Sequence, residues 1–268
     1  MTPDQQFLQW LLPQLNLQWS GFRRVRRQAL KRITRRMQNL EIRSFEAYQG
    51  YIKANPSELE ILDRCCFITI SRFWRDRVVF DNLRDSAFPQ IARLAQHRGD
   101  STLRGWSAAC ASGEEPYTLN LLWRIDLQPQ FPDLEFSLIA TEVQSEMLRR
   151  AQNACYPVKT IRFTPSHWRD RAFSFTDNQC QVIPAYRQGI TWQQQDIRAK
   201  MPPGQFHFIF CRNLPFTYFN QALQTEIAHK LKQKLYPGGL LVIGAKEALP
   251  ETQQSEFNKT SIPGVFFA

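Results

Sequence analysis

The second half of the chain alternates short apolar runs with helical segments, and this alternation restricts the fold more than any other feature. The apolar runs cover residues 103–109, 136–141, 206–211 and 240–244, and a helical pattern follows each of the first three. Strands that alternate with helices pair in parallel, because each helix returns the chain to the same edge of the sheet. The sequence therefore predicts an α/β fold with a Rossmann-like, mostly parallel sheet.

Two regions depart from this alternation. Residues 1–80 read as short helices without a strand pattern, which predicts a basic all-α N-terminal domain before an α/β domain over 81–268. A longer helix is predicted over 76–97. Between 156 and 192, three short aromatic runs (AFSF, CQVI and ITW) are separated by turn residues. We interpret this stretch as a small antiparallel insert.

Positive charge is concentrated near the N-terminus of a chain whose net charge is +10. The first 36 residues hold eight basic residues and one acid, Asp4. Apolar residues recur at steps of three and four over 22–37, so the arginines fall on the opposite face of a predicted helix. This basic helix is either a solvated charged face or a docking surface for an acidic protein or for phosphates.

Several classes of protein are disfavoured by what the sequence does not contain. No apolar run approaches the ~18 residues of a membrane span, and residues 1–10 do not resemble a secretory signal, so we expect a cytoplasmic protein without membrane insertion. None of the six cysteines forms a Cys-x-x-Cys pair, and the four histidines have no metal-ligand spacing. We therefore expect reduced thiols and no metal.

The segment 106–117 (WSAACASGEEPY) carries the clearest chemical signal. Small residues and Gly113 separate a predicted strand from a predicted helix, and ligands bind at this edge of open α/β sheets. Glu114 and Glu115 give the helix start the wrong charge for a phosphate and the right charge for a cation such as the sulfonium of S-adenosylmethionine (SAM). The alternative is a helix that is merely well capped. Glu142 ends the next strand, where an acid can accept hydrogen bonds from a ribose diol or lie exposed in a loop.

The Gly-Glu-Glu-Pro-Tyr turn at 113–117 resembles the signature of CheR-type chemotaxis receptor methyltransferases, which are SAM-dependent protein-glutamate O-methyltransferases. Three further stretches resemble motifs of this family in the same order: 67–76 (FITISRFWRD), 208–219 (FIFCRN followed by Tyr218-Phe219) and 235–247 (Pro-Gly-Gly, then Glu247). The resemblance covers nearly the whole chain. It implies the SAM-methyltransferase fold, SAM as cofactor, S-adenosylhomocysteine as product and no metal.

The resemblance also implies a role for individual residues. Arg75 and Tyr218 would act at the substrate carboxylate. The implied cofactor-binding residues are Thr69, Ser71, Arg75, Gly113, Glu115, Glu142, Asp196, Ile197, Arg212 and Asn213. Among them Glu115 would face the methionine end of SAM, Glu142 the ribose, Asp196 and Ile197 the adenine, and Arg212 with Asn213 the sulfonium. Glu142 stands where the family usually has Asp, so the ribose contact must shift.

The implied substrate is an acidic helical protein, chemoreceptor-like, docked through the basic helix 22–37 and methylated on glutamate side chains. One alternative is open because the segment before Tyr218 is one residue longer than the family pattern. Asn213-Leu214-Pro215-Phe216 is similar to the Asn-Leu-Pro-Tyr/Phe motif of nucleic-acid adenine N-methyltransferases, whose aromatic residue stacks on a flipped base. Methylation of a nucleic acid or of a small-molecule carboxylate therefore stays possible at this point.

Overall fold

The computed structural model describes residues 2–268. Its helices are α1 (Pro3–Gln14), α2 (Trp19–Phe22), α3 (Arg26–Asn39), α4 (Phe45–Ala54), α5 (Glu58–Cys65), α6 (Arg77–Asn82), α7 (Phe88–His97), α8 (Glu114–Leu121), α9 (Ser145–Asn153), α10 (Ser166–Ala172), α11 (Pro215–Tyr218), α12 (Gln221–Lys234) and α13 (Glu251–Gln254). Its strands are β1 (Thr102–Ala108), β2 (Glu135–Glu142), β3 (Cys155–Pro157), β4 (Phe173–Thr176), β5 (Gln179–Val182), β6 (Ile190–Gln194), β7 (Phe206–Phe210), β8 (Leu235–Val242), β9 (Asn258–Lys259) and β10 (Val265–Phe267).

These elements form two compact units. The N-terminal unit holds the chain up to Thr69 together with the return segment Leu214–Gln224, and the sheet unit holds Ile70–Asn213 and Thr225–Ala268. The sequence places the domain boundary at residue 80 instead. The predicted helix over 76–97 forms as α6 and α7, joined by a wider π-helical turn at Leu83–Ala87.

The N-terminal unit is helical and includes the return segment as an integral part. Its core contains apolar residues from α1, α3 and α4, among them Leu8, Ile33 and Ile52. The backbone of the return segment pairs with the turn after α1, since the amide of Gln18 donates to the carbonyl of Tyr218 over 2.8 Å. Gly21 is required here, because a Cβ at this position would lie 2.1 Å from the carbonyl oxygen of Thr217.

The basic helix predicted over 22–37 begins later than expected. Phe22 ends α2, and the backbone turns at 23–25 before α3 starts at Arg26. Val25 has φ −110° and ψ 0°, outside the helical region, so Arg23 and Arg24 lie in the turn. Residues 22–25 are therefore wrongly included in that helix. Ala29, Ile33 and Met37 form the buried face of α3, as the three- and four-residue spacing predicts.

The sheet unit contains a seven-stranded, mostly parallel sheet in the order β6-β2-β1-β7-β8-β10-β9. Strands β6, β2, β1, β7 and β8 are parallel, β10 is antiparallel to β8, and β9 is antiparallel to β10. The chain builds outward from β1 to β2 and β6 and then returns to the other side of β1 with β7. Side chains of all five residues of β7 are buried, as expected for a central parallel strand. The predicted α/β fold is confirmed.

The predicted antiparallel insert forms as a three-stranded sheet in the order β3-β5-β4. One of its assigned runs is misplaced. Ile190–Gln194, which contains the run ITW, pairs in parallel with β2 and is the edge strand of the main sheet. Phe73 packs edge-on against Tyr156 and Phe173 of the small sheet, with ring centroids 5.0 and 5.3 Å apart. This contact fixes the segment 70–76 on the small sheet.

Candidate active site

The loop after β1 has an unusual backbone that brings small residues to the carboxyl edge of the sheet. Ala109, Ala111 and Gly113 all have positive φ angles, of 55°, 50° and 92°. A Cβ on Gly113 would lie 2.7 Å from the Cβ of Ala151, so both the backbone angle and the space require glycine. The small side chains leave room for a ligand to approach the main chain of this loop.

Arg212 follows β7 and is the centre of a buried ion-pair cluster. Its Nη1 donates to Glu115 Oε2 over 3.1 Å, and its Nη2 donates to Asp76. Ser107, at the end of β1, donates to the other oxygen of Glu115 over 2.8 Å. The Arg212 side chain is only 3% exposed, and its Nε has no hydrogen-bond partner among the described residues. A buried donor without a partner is costly, which indicates a place for an acceptor.

Arg75 closes the same cluster from the segment 70–76. It donates through Nη1 to the carbonyl oxygen of Ile70 over 2.7 Å and through Nη2 to Asn213 Oδ1 over 3.1 Å. Burial, followed by the nearby charge of Arg212, lowers the pKa of Arg75. Asn213 has φ 59°, and its amide donates to Glu247 over 2.8 Å, which fixes the turn after β7.

A cavity of about 40 Å³ lies among these groups. Its lining contains five of the predicted site residues: Ser71, Arg75, Glu115, Arg212 and Asn213. The remaining lining residues are Ile70, Arg72, Phe80, Ala109, Cys110 and Ala111. Small-molecule sites usually enclose ~300 Å³ or more, so this cavity accounts for only part of a site for a ligand the size of SAM.

Three of the remaining predicted cofactor residues, Glu142, Asp196 and Ile197, lie at or just beyond the ends of β2 and β6. Glu142 is buried, and its two oxygens accept the backbone amides of Ala111 (2.9 Å) and Gln144 (3.0 Å). Burial raises the pKa of Glu142, and these amide bonds oppose the increase. The carboxylate of Asp196 pairs with the guanidinium of Arg198 at 2.7 Å. The negative charge of Asp196 also contributes to the raised pKa of Glu142, so the two carboxylates influence each other electrostatically.

The family model described as "CheR methyltransferase, SAM binding domain" matches residues 69–266. The chain belongs to the CheR methyltransferase family. It is therefore a SAM-dependent methyltransferase, and the predicted family resemblance is confirmed.

Known CheR relatives and solved structures show how far the similarity extends. "Chemotaxis protein methyltransferase 2" of Vibrio cholerae is 27% identical over 225 residues, which cover 82% of this chain and 76% of the relative. "Probable chemotaxis protein methyltransferase" of Rhizobium etli is 27% identical over 238 residues, covering 86% and 87%. A solved SAM-dependent methyltransferase from Clostridium acetobutylicum aligns with a TM-score of 0.35 and 14% identity, covering 61% of this chain and 49% of that chain.

The donors and acceptors of this CheR site fit SAM. Glu115 offers a partly buried carboxylate to a cationic ligand, and Glu142 offers acceptors at the end of the neighbouring strand. The unpartnered Nε of Arg212 offers a donor to a carboxylate. Thr69 and Tyr218 belong to the N-terminal unit, so their implied roles stay predictions. Within residues 2–268, no cluster of His, Cys, Asp and Glu side chains could hold a metal ion, and no helix has the length and apolarity to span a bilayer.

Three residues that the sequence analysis did not assign to the site support its geometry. Asp76 pairs with Arg212, Ser107 positions Glu115, and Glu247 accepts the amides of both Asn213 and Gly244. Asp76 and Glu247 lie in the motifs that resemble the family, which is the only sequence signal for them. Glu114, the other acid of the helix start, is buried and accepts from Ser112 over 2.8 Å, and it does not line the cavity.

Proposed function

We propose that this CheR family member transfers the methyl group of SAM to glutamate side-chain carboxylates of a chemoreceptor-like protein, forming methyl esters. The observation that carries the proposal is the chemistry of the cavity lining. Burial raises the pKa of the Cys110 thiol far above neutrality, and Glu115 is ion-paired with Arg212. The other titratable lining residues, Arg72, Arg75 and Arg212, are cations.

In the part of the chain that the structure describes, the lining contains no histidine, and its one carboxylate, Glu115, is already bound by Ser107 and Arg212. Alcohol and ammonium acceptors must lose a proton during methylation, so they need a base. A glutamate side chain has a reference pKa of about 4.3 and is already anionic at pH 7. The lining therefore supports a carboxylate acceptor. The relatives are named chemotaxis protein methyltransferases, which supports a chemoreceptor as the protein that carries this carboxylate.

When bound, SAM supplies an electrophilic methyl group on a sulfonium, and its transfer to a carboxylate cancels two charges without releasing a proton. The protein then needs to align the two reactants and exclude water. We assign the cofactor contacts to Glu115, Glu142 and Arg212. Arg75 would orient the acceptor carboxylate, because its guanidinium lines the cavity and its present partners, Ile70 and Asn213, are both neutral.

The proposal is tested with radiolabelled SAM and a synthetic glutamate-rich helical peptide, beside a matched peptide in which glutamine replaces every glutamate. We expect label only on the first peptide, and release of the label as methanol in mild alkali, because a methyl ester hydrolyses and an N-methyl group does not. Label on single-stranded DNA or RNA, stable to alkali, would instead identify a nucleic-acid methyltransferase. Phe216 argues against that result, since its ring is buried and a base-stacking aromatic must be accessible.

For Arg75→Ala we expect kcat to fall roughly tenfold or more, because one charge-assisted hydrogen bond to the acceptor is lost. SAM affinity, measured by calorimetry, should change little. Arg77→Ala is the matched control, since this arginine is two residues away, is 73% exposed and has Asp81 as its one ion-pair partner among residues 2–268. Equal kcat values for the two variants would remove Arg75 from the reaction.

Helix α3 carries a basic stripe that fits an acidic substrate. Arg27, Lys31 and Arg35 are exposed and follow each other at four-residue intervals, so they lie on one face. Like charges at this spacing destabilise a helix by a few tenths of a kcal/mol per pair. None of these three side chains has an ion-pair partner among the described residues that would offset this destabilisation. Arg36 and Arg32 are used differently. Arg36 pairs with Glu58 at 2.8 Å, and Arg32 donates to the carbonyls of Cys65 and Phe67.

Reversing two charges of the stripe tests its role in docking. For Arg27→Glu with Lys31→Glu, we expect kcat/KM for the glutamate-rich peptide to fall about tenfold at low ionic strength, and the loss to shrink as salt is added. Arg43→Glu with Lys53→Glu changes the net charge of the same unit by the same amount away from α3. If both double variants lose the same activity, net charge rather than the stripe attracts the substrate.

A further inference from the structure

Phe163 has a large apolar side chain that is exposed to solvent. It is 40% exposed, whereas the nearby Ile161 and Thr164 are only 1% and 3% exposed. The turn is ordered by local bonds: the hydroxyl of Thr164 donates to the carbonyl of Ile161 over 2.7 Å, and its amide donates to the same carbonyl over 3.0 Å. The exposed ring is therefore presented in a fixed position by a turn anchored on both sides.

Two guanidinium groups lie over this ring. The Cζ of Arg162 is 4.2 Å from the ring centroid, and the Cζ of Arg72 is 5.6 Å from it. No carboxylate of the described residues lies within 4 Å of either arginine, in contrast to Arg84 and Arg198, which have acidic partners. Two exposed cations are thus held beside one apolar ring without a counter-charge.

This arrangement continues into the rim of the cavity. Arg72 lines the cavity, as does Ile70, whose side chain is 51% exposed. The charge of Arg72 also helps to lower the pKa of Arg75, although burial and the charge of Arg212 are the larger causes. A polypeptide lying over Arg72 and Phe163 would therefore pass beside Arg75, which we propose orients the acceptor carboxylate.

We propose that Ile70, Arg72, Arg162 and Phe163, here called the rim patch, dock an acidic segment of the protein substrate next to the methylated side chain. The occupant follows from charge complementarity. The arginines offer donors to carboxylates, and Phe163 with Ile70 offers an apolar surface to an amphipathic helix. This inference rests on the proposed function and gives the sheet unit its own contact with the substrate, separate from the stripe on α3.

The test compares two rim-patch variants with two controls on the glutamate-rich peptide. We expect Arg162→Glu and Phe163→Ser each to raise KM about tenfold, with kcat and SAM affinity within about twofold of the unchanged protein. Phe175→Ser replaces another exposed phenylalanine, on β4, and Arg93→Glu reverses another exposed arginine, on α7. Neither control should change KM. All four side chains are exposed, and Arg162→Gln provides a milder variant should Arg162→Glu fail to fold.

The outcomes separate this inference from the proposed function. KM values equal to those of the controls, with alkali-labile methylation intact, would overturn the rim patch and leave the proposed function standing. Absence of methylation of the peptide by the unchanged protein would overturn the proposed function and the rim patch with it. If the rim-patch variants lose affinity for a labelled oligoadenylate while KM for the peptide is unchanged, the patch binds nucleic acid and the proposal is wrong.

Discussion

Glu115→Gln should weaken SAM binding about a hundredfold or more while the chain stays folded. The glutamine keeps the shape of the side chain and one acceptor for Ser107 or Arg212, but it removes the partly buried negative charge. Arg212 then faces a cationic cofactor with Asp76 as its one acidic partner among the described residues. A charge interaction of this kind in a poorly solvated site amounts to several kcal/mol, and ~2.8 kcal/mol is already a hundredfold. Calorimetric titration with SAM measures the loss directly.

The neighbouring acid provides the control. Glu114 has the same charge but is more deeply buried than Glu115, and its partner is Ser112 rather than a group of the cavity. Glu114→Gln should therefore leave SAM affinity within about threefold, although it can lower stability because its site is buried. If both variants bind SAM equally well, the negative charge at the start of α8 does not recognise the cofactor, and the assignment of Glu115 fails.

The product S-adenosylhomocysteine, which carries one positive charge fewer than SAM, sharpens this comparison. It lacks the sulfonium charge but keeps the ribose, the adenine and the charged amino-acid end. If Glu115 acts on the sulfonium, Glu115→Gln should reduce SAM affinity more than product affinity. An equal loss for both ligands would mean that Glu115 either acts on the ammonium that both ligands share or holds Arg212 in place, to which it is bound.

The central strands and the glycine turn could be predicted from the sequence because burial on both faces leaves a simple signal. Every residue of β7 is buried, and the apolar run 206–211 predicts that strand to within one residue. Gly113 marks the turn because only glycine fits its angle and its contact with Ala151. Strand β6 was misassigned because it has one neighbour and is half-exposed, so its mixed composition resembles a small antiparallel strand.

The electrostatics of the site depend on partners that are distant in sequence. From the sequence alone, Glu114 and Glu115 are two equivalent charges at a helix start, whereas in the fold Arg212 pairs with Glu115 from 97 residues away. In the same way, the basic residues before residue 37 look alike in composition, but Arg36 is bound to Glu58, 22 residues further along. Such pairings appear only when the fold brings the elements together.

Glu58→Gln should be the most destabilising exchange of a single charge in the N-terminal unit. Glu58 is 3% exposed, accepts two hydrogen bonds of 2.8 Å from Arg36, and also accepts the hydroxyl of Tyr48 over 2.6 Å. Without the charge of Glu58, Arg36 loses its partner, but its side chain is 28% exposed and stays partly solvated, so we expect a loss of about 1.5–3 kcal/mol. Hydrogen exchange of the amides in α3 and α5, followed by mass spectrometry, measures this loss within the unit itself.

The same pair predicts how acid acts on this unit. Hydrogen bonding from Arg36 lowers the pKa of Glu58 in the folded state. A carboxylate whose pKa is lower in the folded state stabilises the fold fully at pH values above its unfolded-state pKa of about 4.3. This stabilisation is lost as the pH falls through the folded-state pKa. The protection of the α3 and α5 amides against hydrogen exchange should therefore decline as the pH is lowered below about 4.3 in the unchanged protein. In Glu58→Gln that dependence should be weaker, since the titrating group is gone.

Glu60→Gln is the matched control for this pH dependence. It lies in the same first turn of α5 as Glu58 but is exposed, so its charge is solvated in both states. We expect it to leave both the protection of α3 and its dependence on acid nearly unchanged, because exposed charges contribute little to stability. If Glu58→Gln and Glu60→Gln have the same acid profile, the carboxylate of Glu58 is not the group whose protonation loosens α3. The decline would then have to come from other acids of the unit.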